Sequence, residues 1–388
     1  MEHNSTILNR DGAYPSILNR HRSNDWNRMP ASVEVVSCAR LHFGMFSFGS
    51  AAMRSYGGVG LSINQPGIHL SAFRNEPGEK RRTEEDIQAC GPMAARAVSC
   101  ATHAMQAWNL IQENGCRIVI HSAPRDHVGL GSGTQLAMSI ALAIRQLFRV
   151  VLPGDGLEVF KQGGVSEPLG AALASAVQRM GRSNIGLQAF CGGGLLVEAG
   201  RFVPSVPSEN NTQSDRWRNP LLRRVHLPQQ WRAVVVVLRN AVGLSGDQER
   251  MAFSGLPHVS RSVTAELARI AFLELLPAAI EHDFELFSEA VGHYGALAGE
   301  AFSSVSASLP YATALARIQG VLVDNECQGV GQSSWGPAVF ALCPSDDSAQ
   351  SLVRRVRELQ DFCDSDLLIA ELNSQGAVTG DHFTEESL

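Results

Sequence analysis

The sequence is poor in lysine: only Lys80 and Lys161 occur among its 32 lysine and arginine residues. Neither lysine lies in one of the glycine-rich motifs described below. A phosphate ligand would therefore be held by arginine side chains and backbone N–H groups rather than by a motif lysine. There is also no evident lysine for Schiff-base chemistry. Base-composition bias of the genome explains most of the skew, but the constraint on mechanism holds either way.

Other absences disfavour whole classes of protein. No apolar run approaches the ~20 residues that span a bilayer, and the N-terminus lacks the apolar core of a signal peptide. The eight cysteines form no CxxC pair and no zinc-spaced cluster, which is typical of reduced thiols in the cytoplasm. The net charge of −6 gives little support to a nucleic-acid role. We therefore expect a cytoplasmic protein with small-molecule substrates and no nucleic-acid or membrane partner.

The chain is long enough for two lobes. Its 388 residues are 44% hydrophobic, which suits an ordinary globular protein with a sizeable core. Polar stretches at both ends and in the middle predict the boundaries. These are a disordered N-terminal extension, a first lobe, a linker or insertion, a second lobe and an acidic tail, at residues 1–31, 32–203, 204–220, 221–365 and 366–388.

Local patterns favour an α+β fold, because strands and helices mix without regular βα alternation. Runs rich in β-branched residues predict strands at Val33–Cys38, Gly57–Ile63, Arg117–Ser122 and Arg232–Leu238, and Gly329–Leu342 reads as a glycine-rich turn feeding another strand. Helical character covers residues 84–114, 260–298 and 349–362.

Asp126–Ile144 (DHVGLGSGTQLAMSIALAI) places a glycine-rich loop directly before a helix. From Thr134 onward, apolar residues recur at helical spacing, and Thr134 or Ser132 is a candidate N-cap. Glycines allow close backbone approach, and the first-turn N–H groups with the helix dipole favour an anion. The loop therefore predicts a phosphate or diphosphate cradle, and a plain turn before a core helix explains the spacing equally well. It is neither a Walker loop nor a Rossmann loop.

Six short motifs stand out along residues 33–345. They are ARLHFG, GGVGL, GLGSGTQL, GLSG with a following Glu, LLPA and GQSSWGP, at 39–44, 57–61, 129–136, 243–249, 275–278 and 331–337. Together they resemble the GHMP fold of galactokinase, homoserine kinase and mevalonate kinase. The match is closer to one branch, the β-ribofuranosylaminobenzene 5′-phosphate synthases of methanopterin biosynthesis. The resemblance implies a two-lobed fold, with a first lobe like ribosomal protein S5 domain 2 and an α/β-sandwich second lobe.

One position departs from the kinases of this superfamily. Many carry an aspartate in an SGxD motif that acts on the hydroxyl to be phosphorylated. The comparable stretch here is Ser183-Asn184-Ile185-Gly186, so a glycine stands where that aspartate is expected. Glycine cannot accept a proton. Asn184 is itself a small deviation from the RSGIG that the synthase branch leads us to expect.

The resemblance implies a pentosyltransferase. Phosphoribosyl diphosphate loses diphosphate, and the carboxylate-bearing ring carbon of 4-hydroxybenzoate or 4-aminobenzoate attacks the anomeric carbon. Carbon dioxide then leaves to give a C-riboside. Magnesium is expected with the diphosphate donor, although no protein ligand set is legible, and ATP is not expected. A homodimer is also expected. The alternatives are an ATP-dependent GHMP-type kinase and a non-catalytic ligand-binding relative.

Roles follow from the same resemblance. Glu249, His42 and Asp247 are candidate catalytic residues; Glu249 would stabilise the cation or take the para proton, unless these acids only favour a helix N-terminus. Trp335 would stack on the aromatic acid or simply pack under its loop. The arginines and His127 have structural alternatives. Substrate binding is expected from Arg40, Arg125, His127, Gly129, Gly131, Ser132, Gly133, Thr134, Gln135, Arg182, Ser183, Gln332, Ser333, Ser334 and Trp335.

Overall fold

The computed structural model of the protein describes residues 30–49, 54–75, 86–111, 114–152, 165–179, 183–202 and 219–380. Nearly all of the predicted N-terminal extension and of the predicted linker lies outside these described residues, as does Arg182. Among the described residues, no helix combines the length and the apolar character needed to cross a membrane. All eight cysteines are free thiols.

The strands are β1 Ser32–Met45, β2 Arg54–Ser55, β3 Gly58–Arg74, β4 Ile87–Cys90, β5 Cys116–Ser122, β6 Leu195–Glu198, β7 Arg201–Phe202, β8 Leu221–Val225, β9 Arg232–Leu238, β10 Val330–Gln332, β11 Ala338–Cys343, β12 Ser365–Glu371 and β13 Val378–Gly380. The helices are α1 Ala94–Ala107, α2 Ser132–Leu147, α3 Glu167–Ala176, α4 Ile185–Gly192, α5 Gly246–Ser254, α6 Arg261–Ile270, α7 Leu276–Glu281, α8 Phe284–Glu300, α9 Ser303–Ser306, α10 Ala312–Asp324 and α11 Asp346–Val356. A π-helical turn joins α6 to α7, and a short 3₁₀ turn follows α11.

Two main sheets organise the fold. The larger sheet has the strand order β13-β1-β3-β5-β4, and β6 extends it by pairing with both β3 and β8. Helices α1, α2, α3 and α4 cover one face of this sheet. Helix α2 is buried on nearly every side, because it lies between the sheet and the other helices. This explains its continuous apolar character.

The smaller sheet has the order β10-β11-β9-β12, and all its pairings are antiparallel. Its central strand β9 (RAVVVVL) is almost wholly buried, because apolar layers cover both faces. On one face, α10 and α11 form a core with the sheet. On the other face, α8 packs between the smaller sheet and the end of β1, so one continuous core joins the two sheets.

Several expectations are confirmed and others are corrected. The strand expected at Arg232–Leu238 and the helix expected after the glycine-rich loop form as predicted. The helical region expected at 84–114 begins instead with β4, and α1 follows. Residues 221–225, expected in the second lobe, form β8 in the larger sheet. Much of the expected acidic tail is ordered, since β12 joins the smaller sheet and β13 returns to β1.

Candidate active site

Helix α2 starts without a side-chain cap. Ser166, Ser260 and Ser345 cap helices α3, α6 and α11 with their hydroxyl groups. At α2 the N-cap is Gly131, in the left-handed region at φ 79°, so the expectation that Thr134 or Ser132 is the cap is wrong. The first-turn amides of Ser132 and Gly133 have no acceptor within the described ranges. The helix mouth therefore offers backbone donors and the positive end of the helix dipole to an anion.

Some glycines of the loop serve backbone packing rather than ligand approach. A Cβ on Gly129 would lie 2.3 Å from the carbonyl oxygen of Ser333. A Cβ on Gly336 would lie 2.2 Å from the nitrogen of Gly129, and one on Gly243 would lie 2.5 Å from the carbonyl oxygen of His127. Three loops, one before α2, one after β9 and one after β10, therefore pack backbone against backbone. This contact accounts for glycine at each of the three positions.

Arg40, one of the predicted substrate-binding residues, lies across the helix mouth. Its Cγ would be 3.0 Å from a Cβ on Gly131, and its guanidinium donates to the carbonyl oxygen of Gly129. Burial lowers the pKa of Arg40 to about 10, while Glu249 and Glu198 act in the opposite direction. Arg40 therefore stays charged at neutral pH, and its charge interacts favourably with two carboxyl groups.

A second arginine at the mouth, Arg96 on α1, was missed in the sequence. A Cβ on Gly133 would lie 2.4 Å from its Nη2 atom, so the guanidinium covers the first turn of α2. Arg96 forms an ion pair with Asp126 at 2.7 Å. Burial lowers the pKa of Arg179, and the nearby Arg96 cation lowers it further. Arg96 belongs to no motif in the chain, so only the fold reveals its place.

His42 is held in a buried polar chain. Its Nδ1 accepts the backbone N–H of Gly44 at 3.2 Å, so the ring proton is on Nε2, which faces the Ser183 hydroxyl at 3.3 Å. Burial, and secondarily Arg40, lower the pKa of His42 to about 3. The imidazole is therefore neutral at neutral pH, and Nε2 is a hydrogen-bond donor.

The chain continues to Glu198, which belongs to none of the motifs recognised in the sequence. Its carboxylate accepts the backbone N–H of Asn184 at 2.8 Å. Burial raises the pKa of Glu198 to about 8, although Ser183, Asn184 and Asn219 favour the charged form. The signal that would have found this group is a single acid inside an apolar strand, GGGLLVEAG. Such an acid is expected to be either paired or neutral.

A cavity of about 910 Å³ lies beside these groups, with walls from β1, α5, α8 and the segment around β10. Its size suits a small ligand. The structure thus brings several predicted residues to one space. Those that line it are His42, Glu249, Gln332, Ser334 and Trp335.

Trp335 has little free ring surface. Its indole stacks on Phe253 at 4.4 Å between ring centroids and meets Phe302 edge to face at 5.3 Å. The side chain is 8% exposed. The structure therefore favours the packing role for Trp335 over stacking on a substrate ring, and makes it a rigid wall of the cavity.

Two predicted charged residues lie elsewhere. Asp247 is 79% exposed and pairs with Arg250 on the outside of α5. Arg125 donates to the carbonyl oxygens of Leu238 and Arg239 and lies 3.4 Å from Asp366, so it braces the end of β9. Neither arrangement supports the predicted role in catalysis or phosphate binding.

Several predicted polar residues have structural partners. Gln135 is fully buried and donates to the carbonyl oxygen of Gly186. The Ser333 hydroxyl accepts from the His42 N–H and donates to the Gly129 carbonyl, and Gln332 donates to the Gly336 carbonyl. The His127 carbonyl accepts from Gly243. The Gln135 bond joins α2 to α4, and the other bonds hold the interlocked loops together.

With the fold and the site described, the class of the protein follows. The chain matches the GHMP kinases N terminal domain over residues 95–180 and the GHMP kinases C terminal domain over residues 275–360. Homoserine kinase from Cytophaga hutchinsonii has a similar structure, with a TM-score of 0.58 and 16% identity over 91% of this chain and 98% of that one. Phosphomevalonate kinase from Streptococcus pneumoniae superposes with a TM-score of 0.60 and 15% identity, over 88% and 100%. The chain therefore has a GHMP-kinase-like fold and is similar to the GHMP kinases in both of its lobes.

The resemblance to one branch of the GHMP superfamily is also confirmed. The chain is 26% identical over 332 residues to the β-ribofuranosylphenol 5′-phosphate synthase of Methanothermobacter thermautotrophicus, covering 83% of this chain and 91% of the relative. It is 26% identical over 325 residues to the protein of the same name from Archaeoglobus fulgidus, covering 82% and 90%. The chain is therefore similar to a family of enzymes named for the synthesis of a ribofuranosylphenol phosphate.

Proposed function

We propose that the protein is a pentosyltransferase that condenses phosphoribosyl diphosphate with 4-hydroxybenzoate or 4-aminobenzoate in tetrahydromethanopterin biosynthesis. The bond between the anomeric carbon and diphosphate breaks, and the ring carbon that bears the carboxylate forms the new C–C bond. The bond to carbon dioxide then breaks, and its electron pair restores the aromatic ring. The products are a C-riboside 5′-phosphate, diphosphate and carbon dioxide, so atoms and charges balance.

One observation carries the proposal: an anion site at the mouth of α2 lies close to a cavity of small-molecule size. Arg40 covers Gly131 at the mouth of α2 and is within electrostatic range of Glu249, which lines the cavity together with His42 of the same motif as Arg40. A donor with an anionic leaving group at the helix mouth thus has its sugar directed towards the cavity. Each helix-terminus contact contributes only ~0.3–1 kcal/mol to an exposed anion. Arg40 and Arg96 supply the remaining charge neutralisation.

Glu249 and His42 serve the aromatic acceptor in this proposal. A carboxylate at the cavity wall stabilises the oxocarbenium-like sugar and takes the para proton while the ring attacks, then returns it as carbon dioxide leaves. Neutral His42 orients the ring through hydrogen bonding rather than through charge. Trp335 and Phe253 close the cavity on one side and limit the water that would otherwise capture the cation.

Magnesium fits the donor side. Asp126 offers a carboxylate and Ser132 a hydroxyl at the helix mouth, 3.4 Å from each other. Such oxygen ligands suit Mg²⁺ when the substrate supplies the other oxygens. The ion would neutralise charge on the departing diphosphate. The chain's own residues position that diphosphate through the Ser132 and Gly133 amides and the Arg96 guanidinium.

The kinase alternative is disfavoured by Gly186. This residue lies in the first turn of α4, where an added Cβ would be 3.3 Å from the Thr134 side chain. A glycine at this place, beside the helix mouth, supplies no proton acceptor for a hydroxyl. The remaining expectations, a homodimer and a cytoplasmic location, stay predictions; sedimentation of the purified protein would check the first.

The deciding experiment measures release of labelled carbon dioxide from carboxyl-labelled 4-hydroxybenzoate, with 4-aminobenzoate in parallel. We expect release only when phosphoribosyl diphosphate and Mg²⁺ are both present. Transfer of phosphate from labelled ATP to small alcohols, without carbon dioxide release, would establish the kinase alternative instead. Binding of the donor without turnover of either acid would establish a non-catalytic relative.

The role of Glu249 has its own test. Glu249→Gln removes the proton acceptor but keeps the side-chain shape, so we expect kcat to fall by ~10²–10⁴-fold with little change in donor KM. Asp247→Asn is the matched control, because Asp247 lies on the exposed face of the same helix. Equal activity of the two variants would remove Glu249 from the chemistry.

A further inference from the structure

Away from the candidate active site, the larger sheet carries a cluster of side chains that can bind a metal ion. The cluster lies on the face opposite α1 and α2. Glu34 on β1, His69 on β3 and His121 on β5 lie on three neighbouring strands. In the β1–β3 register, Glu34 pairs with Ser71 and Val36 with His69, so these side chains share one face. Their positions are far apart in the chain, which is why no metal-type spacing is visible in the sequence.

A β-bulge turns His121 towards the other two residues. Leu70 pairs with Ile120 and His69 with Ser122, so His121 is the extra residue on β5. Bulges re-aim side chains and are often found beside functional sites. The His121 and His69 rings consequently lie 4.5 Å apart between centroids.

The polar contacts bring the potential ligand atoms together. His69 Nε2 contacts Glu34 Oε1, and His121 Nε2 lies 2.8 Å from the Ser71 hydroxyl. One ligand atom each from Glu34, His69 and His121 falls within 4.8 Å of the others. Zinc binds imidazole nitrogen and carboxylate oxygen at ~2.0–2.2 Å, so ligands of one ion stand up to ~4 Å apart. Small side-chain rotations suffice to close this cluster on an ion.

We propose that Glu34, His69 and His121 bind one borderline divalent cation of the zinc type, with solvent in the fourth position. Two imidazoles and one carboxylate form a ligand set that zinc accepts. Magnesium prefers oxygen ligands only, so this site is chemically distinct from the donor's ion.

The site is also distant from the candidate active site. Glu34 lies near the start of β1, and His42 lies eight residues further along the same strand. At ~3.3 Å per residue, the two are roughly 26 Å apart along the strand. The ion would therefore fasten β1, β3 and β5 together rather than take part in diphosphate chemistry, and the proposal does not depend on the proposed function.

The test uses the full chain after treatment with a chelator. Titration with Zn²⁺ alone should show one tight equivalent and a rise in Tm, and Co²⁺ should give the visible absorption of a nitrogen- and oxygen-ligated ion. His69→Ala and His121→Ala should each weaken this equivalent by at least ~100-fold. His226→Ala, an exposed histidine after β8 in the same sheet, should leave it unchanged.

Two results would overturn the proposal. One is a wild-type protein that binds no stoichiometric zinc. The other is a His69→Ala, His121→Ala double variant that retains the same equivalent as the wild type. Glu34→Gln removes a ligand but preserves the side-chain shape, so this variant is expected to fold. The Tm of each variant in chelator should match that of the wild type.

Discussion

Gly129 and Gly133 lie four residues apart in one glycine-rich motif, yet they do different work. At Gly129 an added Cβ would meet the backbone of the loop after β10 at 2.3 Å. At Gly133 it would meet only the flexible end of Arg96. The first glycine allows two loops to pack, while the second makes room for the Arg96 guanidinium at the helix mouth. A motif that resembles a single phosphate-binding loop therefore contains one glycine required for packing and another that faces the proposed ligand site.

Substitution at these two glycines should separate the two roles and give the largest effect. Gly129→Ala forces a side chain into a backbone contact and into positive φ, so we expect the free energy of unfolding to fall by ~3 kcal/mol or more. Gly133→Ala sits at a helical position and should change stability by less than ~1 kcal/mol. It should instead weaken binding of phosphoribosyl diphosphate. Urea unfolding and donor titration of both variants measure the two quantities.

The outcome that would contradict this division is a Gly129→Ala protein as stable as the wild type. A Gly133→Ala protein that remains folded and binds the donor with unchanged affinity would also contradict it. In that case the helix mouth would have only a structural role, and the donor's diphosphate would bind elsewhere.

The elements around this motif could be predicted from the sequence where local pattern decides structure. The apolar period of α2 and the β-branched run of β9 suffice for those two elements. Strands β12 and β13 were missed because they lie in a segment rich in acidic residues, and only pairing with distant strands makes them regular. The same holds for β4, a short strand at the sheet edge that follows a charged stretch.

The candidate site could be predicted only in part, for a similar reason. His42 and Glu249 stand in motifs, and both line one cavity. Arg40, from the same motif as His42, lies within electrostatic range of Glu249. Arg96 has no local signal, because its role arises from the packing of α1 against α2. Arg125 looked like a phosphate ligand because it precedes the loop, yet its side chain turns to the end of β9.

Arg96 and Arg125 differ as the two glycines do, because Arg96 lies at the helix mouth and Arg125 has a structural contact at the end of β9. Arg96→Ala removes a cation from the helix mouth and leaves Asp126 facing the donor. We expect the donor KM to rise by ~10–100-fold, the range of a charge-assisted hydrogen bond. Arg125→Ala should leave KM near the wild-type value and lower the free energy of unfolding by ~1–2 kcal/mol. Steady-state kinetics at saturating aromatic acid, with parallel urea unfolding, separates the two outcomes; a reversed pattern would exchange the two assignments.

The remaining expected effect concerns Glu198 and the pH dependence of stability. Its pKa of about 8 in the folded protein lies above the ordinary value of 4.5, so the folded state keeps a proton that the unfolded chain releases. Stability from this group is complete below pH 4.5 and declines as the pH rises towards 8, by at most ~1.4 kcal/mol per pH unit.

His42 acts in the opposite sense, because its pKa is lowered from 6.5 to about 3 and its contribution is lost as the pH falls through that range. The interval from pH 6.5 to 8 therefore isolates Glu198 from His42. Across it, urea unfolding of the wild type should give falling stability. Glu198→Gln, which is neutral at every pH, should give a flatter profile. If the two proteins give parallel profiles of stability against pH, Glu198 is ionised in the folded protein. The polar chain through Ser183 to His42 then carries a buried negative charge, and Arg40 is its counter-ion.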